Sequence, residues 1–106
     1  MLKVFVMAPR GEATDKIILA MAEAGAGIIG KYTHNAVITE ILGNWKSEEG
    51  SNPTVGTVGK MSREPENKVE MVCPDERLVE VIKALRRVHP YEEPAIDIVH
   101  LENVPT

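Results

Sequence analysis

Aromatic side chains are scarce in this chain of 106 residues, which contains one Phe, two Tyr and one Trp. Proteins that bind single-stranded nucleic acids stack several rings on one surface, and so few rings leave little for such a surface. The formal net charge of −4 also disfavours a phosphate backbone, and the sequence contains no run of lysine or arginine. We therefore expect no nucleic-acid partner.

Cysteine and long apolar runs are also nearly absent. Cys73 is the only cysteine, which excludes an internal disulfide and fits a reducing cytoplasm. No segment approaches the roughly 20 apolar residues of a membrane helix, and residues 1–8 are too short for a signal peptide. We expect a cytoplasmic protein without a membrane partner. The chain is long enough for one hydrophobic core, so a single domain over residues 1–106 is predicted.

The hydrophobic pattern of the first half predicts a strand, a helix and a less regular strand. Val4 and Val6 share one face of the first strand, and Phe5 and Met7 share the other. Gly25 directly follows the first helix, in the position of a left-handed C-cap. The predicted elements are strands at 2–8, 33–46, 69–73 and 95–101, and helices at 12–24 and 75–88.

The segment between the second and third strands is harder to assign. Residues 50–53 carry a turn signal, and residues 55–58 could extend a strand that Gly56 and Gly59 bend. Residues 62–68 are polar and include a proline, which predicts a loop or a hairpin tip.

The helix at 75–88 has the strongest pattern in the chain, an i, i+3, i+4 stripe from Leu78 to Val88. Pro90 disfavours helical geometry at His89, so the helix is expected to end there or just before. The element order βαββαβ predicts a ferredoxin-like α+β sandwich, an antiparallel sheet with two helices on one face. The opposite face would be bare, and its apolar residues Phe5, Met7 and Val72 predict that oligomerisation covers it.

Gly25, Gly27 and Gly30 match the G-x-G-x-x-G pattern of dinucleotide-binding loops. That motif requires a strand before it and a helix after it, whereas a helix precedes these glycines. A C-cap followed by a tight turn explains them. The alternative is a loop whose bare backbone approaches another ligand.

Two histidines and two carboxylates are candidate metal ligands. His34 lies at the start of a strand, and His89 ends the second helix just before Glu92 and Glu93. The alternative is that His89 stabilises the helix C-terminus and that both glutamates are solvated loop charges. Cys73 has the spacing of a core residue, and no serine stands out as a nucleophile, so an enzyme is not expected.

Four stretches of the chain resemble a known family. They are Gly25-x-Gly27-x-Ile29-Gly30-x-Tyr32-x-His34, Gly50-x-Asn52-Pro53-x-Val55-Gly56-x-x-Gly59, Val72-Cys73-Pro74 and Val81-Ile82-x-Ala84-Leu85-x-x-Val88-His89-Pro90-Tyr91-Glu92-Glu93-Pro94-Ala95-Ile96-Asp97-Ile98. Together they resemble the inserted CutA/PII-like domain of YqfO-type proteins, here as a stand-alone chain, and the His-Pro-Tyr-Glu portion also resembles CutA, the divalent-cation tolerance protein. The chain departs from the pattern at Ala36-Val37, where an aromatic residue is common.

This resemblance implies a ferredoxin-like domain that is usually trimeric, with clefts between subunits. YqfO-type proteins carry a dinuclear metal site in the domain that flanks the insert. These 106 residues contain no counterpart of that flanking domain, so no hydrolase activity is carried over.

We therefore expect a small homotrimeric binding or sensing module with a small molecule or a divalent metal ion at its subunit junctions. The metal ligands would be His34, His89 and Glu93, and a divalent ion is the one cofactor considered. The alternative is an assembly module without a ligand. The residues expected to line the site are Gly27, Gly30, Tyr32, His34, His89, Tyr91, Glu92 and Glu93.

Overall fold

The computed structural model describes residues 1–103, so residues 104–106 of the predicted domain lie outside the described part. The chain forms a four-stranded antiparallel sheet in the order β2-β3-β1-β4, together with two α-helices. The predicted ferredoxin-like α+β fold is confirmed. The elements are β1 (Leu2–Pro9), α1 (Glu12–Glu23), β2 (Val37–Lys46), β3 (Met61–Cys73), a short 3-10 turn (Asp75–Arg77), α2 (Leu78–Val88) and β4 (Ile96–His100).

Both helices pack against one face of the sheet. In β1 the residues Leu2, Val4, Val6 and Ala8 are buried, and each of them alternates with a less buried neighbour. The helices contribute their own fully buried side chains, which are Ile17, Met21, Val81 and Leu85. Burying an aliphatic side chain of this size stabilises the fold by about 1.5–3 kcal/mol, so this layer supplies most of the driving force for folding.

The opposite face of the sheet, here called the helix-free face, has no helical cover. Phe5, Met7 and Val72 lie on it and are only half-buried. The ammonium group of Lys68 lies 4.7 Å from the centroid of the Phe5 ring, which is close enough for a cation–π contact. The predicted one-sided arrangement is thus present, and coverage of this face by other copies stays a prediction.

Helix α1 ends as its sequence predicts. Gly25 adopts a φ of 118°, and its N–H donates to the carbonyl of Ala22 while the N–H of Ala26 donates to the carbonyl of Met21. This pair of hydrogen bonds is the Schellman motif, which favours glycine at the left-handed position. A C-cap therefore accounts for the first glycine of the G-x-G-x-x-G pattern.

The prediction for residues 62–68 is wrong, because they belong to the 13-residue strand β3. Pro65 pairs with Leu42 of β2, while the last pair between β3 and β1 is Glu66 with Pro9. Pro65 therefore lies where β3 no longer has β1 beside it, and a proline is tolerated at such an edge. Residues 55–58 do not extend a strand, and only an isolated bridge joins Ser47 to Val58.

Strand β2 is continuous over Val37–Lys46, although its sequence predicts an irregular strand. Residues 41–46 of β2 pair with residues 61–66 of β3, and this two-stranded extension reaches past the end of β1. We refer to it as the β2–β3 ribbon. No helix among residues 1–103 is long and apolar enough to cross a membrane.

Candidate functional site

A cavity of about 610 Å³ lies on the helix-free face, where the β2–β3 ribbon extends past β1. We call it the ribbon cavity. Its floor comes from the three strands, and its walls come from the loop after β2 and the loop before β4. The floor residues are Met7, Ile41, Gly43, Trp45 and Glu66, and the main wall residues are Ser47, Glu48, Ser51, Pro53, Thr54, Val55, Tyr91, Glu92, Glu93 and Ala95.

His89 fixes the start of the loop that forms one wall. Its Nδ1 accepts a hydrogen bond from the N–H of Tyr91 at 3.0 Å, so the proton of the neutral ring is on Nε2. Nε2 then donates to the carbonyl of Met7 at 2.6 Å. Burial lowers the pKa of His89, and the Met7 carbonyl and the nearby Glu66 charge oppose this effect. The neutral ring therefore joins the end of α2 to the end of β1.

Tyr91 connects His89 to the ribbon. Its ring lies 5.0 Å from the ring of His89 and 6.1 Å from that of Trp45, tilted by 49° to the indole. Burial raises the pKa of Tyr91 far above its ordinary value, and the nearby carboxylate of Glu66 raises it further. The phenol therefore keeps its proton beside the carboxylate of Glu66.

Glu66 is the most deeply buried carboxylate in this region, with 5% of its surface exposed. Its carbonyl accepts a hydrogen bond of 3.1 Å from Nε of Arg10, which fixes the backbone at this point. Its carboxylate lies over Gly43, where any Cβ atom would overlap it. Glycine at position 43 therefore leaves the room that the carboxylate occupies.

Two long-range hydrogen bonds tie the walls of the cavity together. The N–H of Asn52 donates to the carboxylate of Glu92 at 3.1 Å, and the hydroxyl of Thr54 donates to the carbonyl of Pro90 at 2.6 Å. At the rim, Lys46 lies 3.6 Å from the carboxylate of Glu48. Loop 47–55 is thus held against the His89–Glu93 segment.

The glycine loop lies at the other end of the sheet. The N–H of Gly27 donates to the carbonyl of Val72 at 2.7 Å, and Val72 pairs with Lys3 near the start of β1. The His89 ring binds Met7, four residues further along the same strand. At about 3.3 Å per residue this separates the two regions by roughly 13 Å or more.

The glycines of this loop serve its turns. Gly30 has a φ of 58° and lies inside a tight turn in which Ile29 and Tyr32 exchange two backbone hydrogen bonds. A Cβ on Gly27 would come within 2.8 Å of the carbonyl oxygen of Asn35. The turn presents Tyr32 with 75% of its surface exposed, and His34 follows with a φ of 60°. The predicted tight turn is therefore present.

One chain brings together only part of the predicted site. His89, Tyr91, Glu92 and Glu93 surround or line the ribbon cavity. A second group, Gly27, Gly30, Tyr32 and His34, is distant from it. Trp45, Gly43 and Glu66 belong to the cavity, although the sequence analysis did not select them. Gly43 could have been selected from the sequence, because a glycine inside a predicted strand often marks the close approach of another group.

The metal site formed by His34, His89 and Glu93 stays a prediction. Within residues 1–103 no three His, Cys, Asp or Glu side chains come close enough to hold a metal ion. Both ring nitrogens of His89 are already used, one by Met7 and one by Tyr91. These three ligands could therefore meet only across a subunit junction and with the loss of a hydrogen bond at His89.

Comparison with known sequences places this chain beside one part of larger proteins. No family model matches it. It is 41% identical over 96 residues to a "GTP cyclohydrolase 1 type 2 homolog" of Mycobacterium tuberculosis, which covers 91% of this chain and 25% of the relative. The chain thus spans about a quarter of the length of the curated relatives that it matches.

Two solved structures match this chain, one in part of a larger protein and one in fold alone. A Bacillus cereus protein related to NIF3 matches 96% of this chain and 26% of its own, with a TM-score of 0.83 and 34% identity. The periplasmic divalent cation tolerance protein CutA of Archaeoglobus fulgidus matches 99% of this chain and 88% of its own, with a TM-score of 0.74 and 20% identity. The chain therefore has the CutA/PII-like form of the ferredoxin-like fold, and its resemblance to part of the NIF3-related proteins is confirmed.

Proposed function

We propose that this chain is a small-molecule-binding module and that the ribbon cavity is its binding site. The observation that carries the proposal is the position of Glu66, a buried carboxylate that lines a cavity of about 610 Å³. Small-molecule sites are commonly cavities of about 300–1,000 Å³ with apolar walls and a few buried polar groups. The ribbon cavity matches this description in size and in lining.

The same module is proposed to work as a homo-oligomer, with a trimer as the expected form. Support comes from the helix-free face, where Phe5 and Val72 are half-buried and Val37 and Val99 are exposed. Apolar side chains left open on one face mark candidate contacts between proteins, and here Lys3, Lys68 and Glu70 lie among them. A cytoplasmic location and the absence of nucleic-acid and membrane partners belong to this proposal as well.

Binding rather than catalysis is the role proposed for the cavity. Burial raises the pKa of the Cys73 thiol, and Asp75 and Glu76 raise it further, so this thiol is a poor nucleophile. Cys73 is also buried among the core residues rather than in the cavity. The cyclohydrolase name of the relatives describes proteins about four times as long, and we do not propose that activity for this chain.

A fragment screen by two-dimensional NMR tests the proposal. We expect saturable shifts in the amide signals of Gly43 and Tyr91 and in the indole N–H of Trp45, the only tryptophan. Substitution of Tyr91 by alanine should weaken the fragments that bind, because it removes one wall. Exchange of the exposed Tyr32 for alanine is the matched control. A screen in which no fragment perturbs the cavity signals would contradict the proposal.

An assembly module without a ligand is the second candidate function. Leu42, on the ribbon, has 66% of its surface exposed, and Met61 on the paired strand has 64%. These side chains suit a contact with a second copy. If Tyr91→Ala breaks the oligomer and the fragment screen is empty, the assembly role replaces the binding role.

A divalent metal ion stays within the proposal only at a subunit junction. Its support is one fold neighbour, a divalent cation tolerance protein, and the predicted ligands His34, His89 and Glu93. Isothermal titration of the assembled protein with Zn²⁺ and Cu²⁺, repeated with His34→Ala, tests it. Binding that is unchanged by this substitution would exclude the predicted ligand set.

A further inference from the structure

We infer that the ribbon cavity selects a small organic cation, an amine or an amidine carried on a flat apolar body. The inference rests on the proposed function and specifies its ligand. It follows from the charges that line the cavity, from the position of Glu66 and from the two aromatic rings of Trp45 and Tyr91.

The ionisable side chains that line the cavity are mostly acidic. They are Lys46, Glu48, Glu66, Glu92 and Glu93. Lys46 pairs with Glu48 at 3.6 Å, which leaves three carboxylates and no other cation in the lining. Glu64 adds a further negative charge near the Tyr91 phenol. A phosphate or carboxylate ligand would be repelled by this arrangement, whereas a cation would be attracted.

Glu66 provides the specific recognition group. The ion pairs found within residues 1–103 do not include it, although only 5% of its surface is exposed. The Tyr91 phenol can occupy one of the roughly four lone-pair positions of the carboxylate. A buried charge without a counter-ion is costly, so a cationic ligand that donates to the free positions would gain a strong charge-assisted hydrogen bond.

The rest of the cavity lining favours an organic cation over a metal ion. Trp45 and Tyr91 place two tilted rings 6.1 Å apart at the cavity, and Met7, Ile41 and Ala95 add apolar surface. Aromatic faces attract ammonium and guanidinium groups and pack against flat apolar bodies. A divalent ion would need several oxygen, nitrogen or sulfur ligands at once, and within residues 1–103 no such group of three exists.

Three probes of similar shape test this inference. They are 2-phenylethylamine, which is cationic, 2-phenylethanol, which is neutral, and 3-phenylpropionate, which is anionic. Binding is measured by calorimetry and by the fluorescence of Trp45, the only tryptophan of the chain and part of the cavity floor. We expect the amine to bind about tenfold or more tightly than the alcohol, and the carboxylate to show no saturable binding.

Glu66→Gln should remove most of the preference for the amine over the alcohol, with a smaller part left to Glu92 and Glu93, and Glu23→Gln on the exposed side of α1 is the matched control. If Glu66→Gln folds poorly, the comparison of the three probes on the unmodified protein still tests the inference. Equal binding of the alcohol and the amine would overturn the inference, as would a preference that Glu66→Gln leaves undiminished. Fragments that bind the cavity while the amine does not would overturn this inference and leave the proposed function intact.

Discussion

The imidazole of His89 accepts a hydrogen bond from the backbone N–H of Tyr91, two residues further along the chain. The same ring contacts the Tyr91 ring and binds the carbonyl of Met7 through its other nitrogen. One neutral histidine thus positions the residue that forms a wall of the ribbon cavity. This relationship explains why an imidazole, a proline and an aromatic ring follow one another at the end of α2.

The free energy of unfolding should decrease as the pH falls, because His89 takes up a proton more readily in the unfolded chain than in the folded one. Burial lowers its pKa in the folded state, whereas in the unfolded chain it titrates near the ordinary value of about 6.5. Below that pH the unfolded state binds more protons, so the free energy of unfolding should fall as the pH falls, and the His89 contribution is fully present above it. The lowered pKa of Asp75 acts only at lower pH, since its ordinary value is 3.8.

Urea unfolding between pH 7.5 and 5 measures this effect. His89→Asn should flatten the dependence, because asparagine does not titrate. An equal slope in the unmodified protein and in His89→Asn would contradict the assignment.

Gly43→Ala should destabilise the protein, although alanine normally replaces glycine in a strand without loss. The new Cβ would overlap the carboxylate of Glu66 and force it out of its position. We expect a loss of about 1–3 kcal/mol in the free energy of unfolding, as for other overpacked sites. Thr39→Ala, on the same face of the same strand, is the control. A Gly43→Ala variant as stable as the unmodified protein would show that Glu66 moves freely.

Thr14→Val should be costly despite the similar shapes of the two side chains. The buried Thr14 hydroxyl donates to the carbonyl of Pro9 at 2.7 Å and accepts from the amide of Asn67 at 3.1 Å. The amide oxygen of Asn67, Oδ1, has no hydrogen-bond partner within residues 1–103. Valine would leave the Asn67 side chain without its hydrogen bond, so we expect a loss of about 2–3 kcal/mol. Thermal and urea unfolding measure it, with the exposed Thr39→Val as control.

Val72→Lys should reduce the mass of the particle in solution if other copies cover the helix-free face. Val72 is half-buried on that face, and a lysine there would place a charge inside the contact. Light scattering after gel filtration gives the mass, and circular dichroism checks that the fold is retained. Val79→Lys on the exposed side of α2 should leave the mass unchanged. A particle of the same mass in both variants would place the contact elsewhere.

The fold was predictable because its signals are local. The stripe of α2, the break at Pro90 and the cap at Gly25 each depend on residues close together in the sequence, and all three are present in the structure. The strand through Pro65 was not predictable in the same way. Its extended form depends on pairing with β2. Pro65 is tolerated because its other side lies past the end of β1, and only the tertiary arrangement shows this.

The site was predictable only in part for a similar reason. His89, Tyr91 and the glutamates after them form one unusual stretch, so their composition alone indicated a special loop. Glu66 and Trp45 take part through contacts with Tyr91, which is 25 or more residues away. The sequence around Trp45 predicts an ordinary strand, and the sequence around Glu66 predicts an ordinary loop. No local pattern distinguishes either residue.

The alternation of side chains along β1 and β3 separates two kinds of residue that are neighbours in the sequence. Val6 and Val69 point into the core, while Met7 and Glu66 point to the cavity. Substitutions at the second set therefore change the shape and charge of the ribbon cavity while the core side chains stay the same. A library restricted to the cavity-facing positions would explore new specificities on an unaltered scaffold.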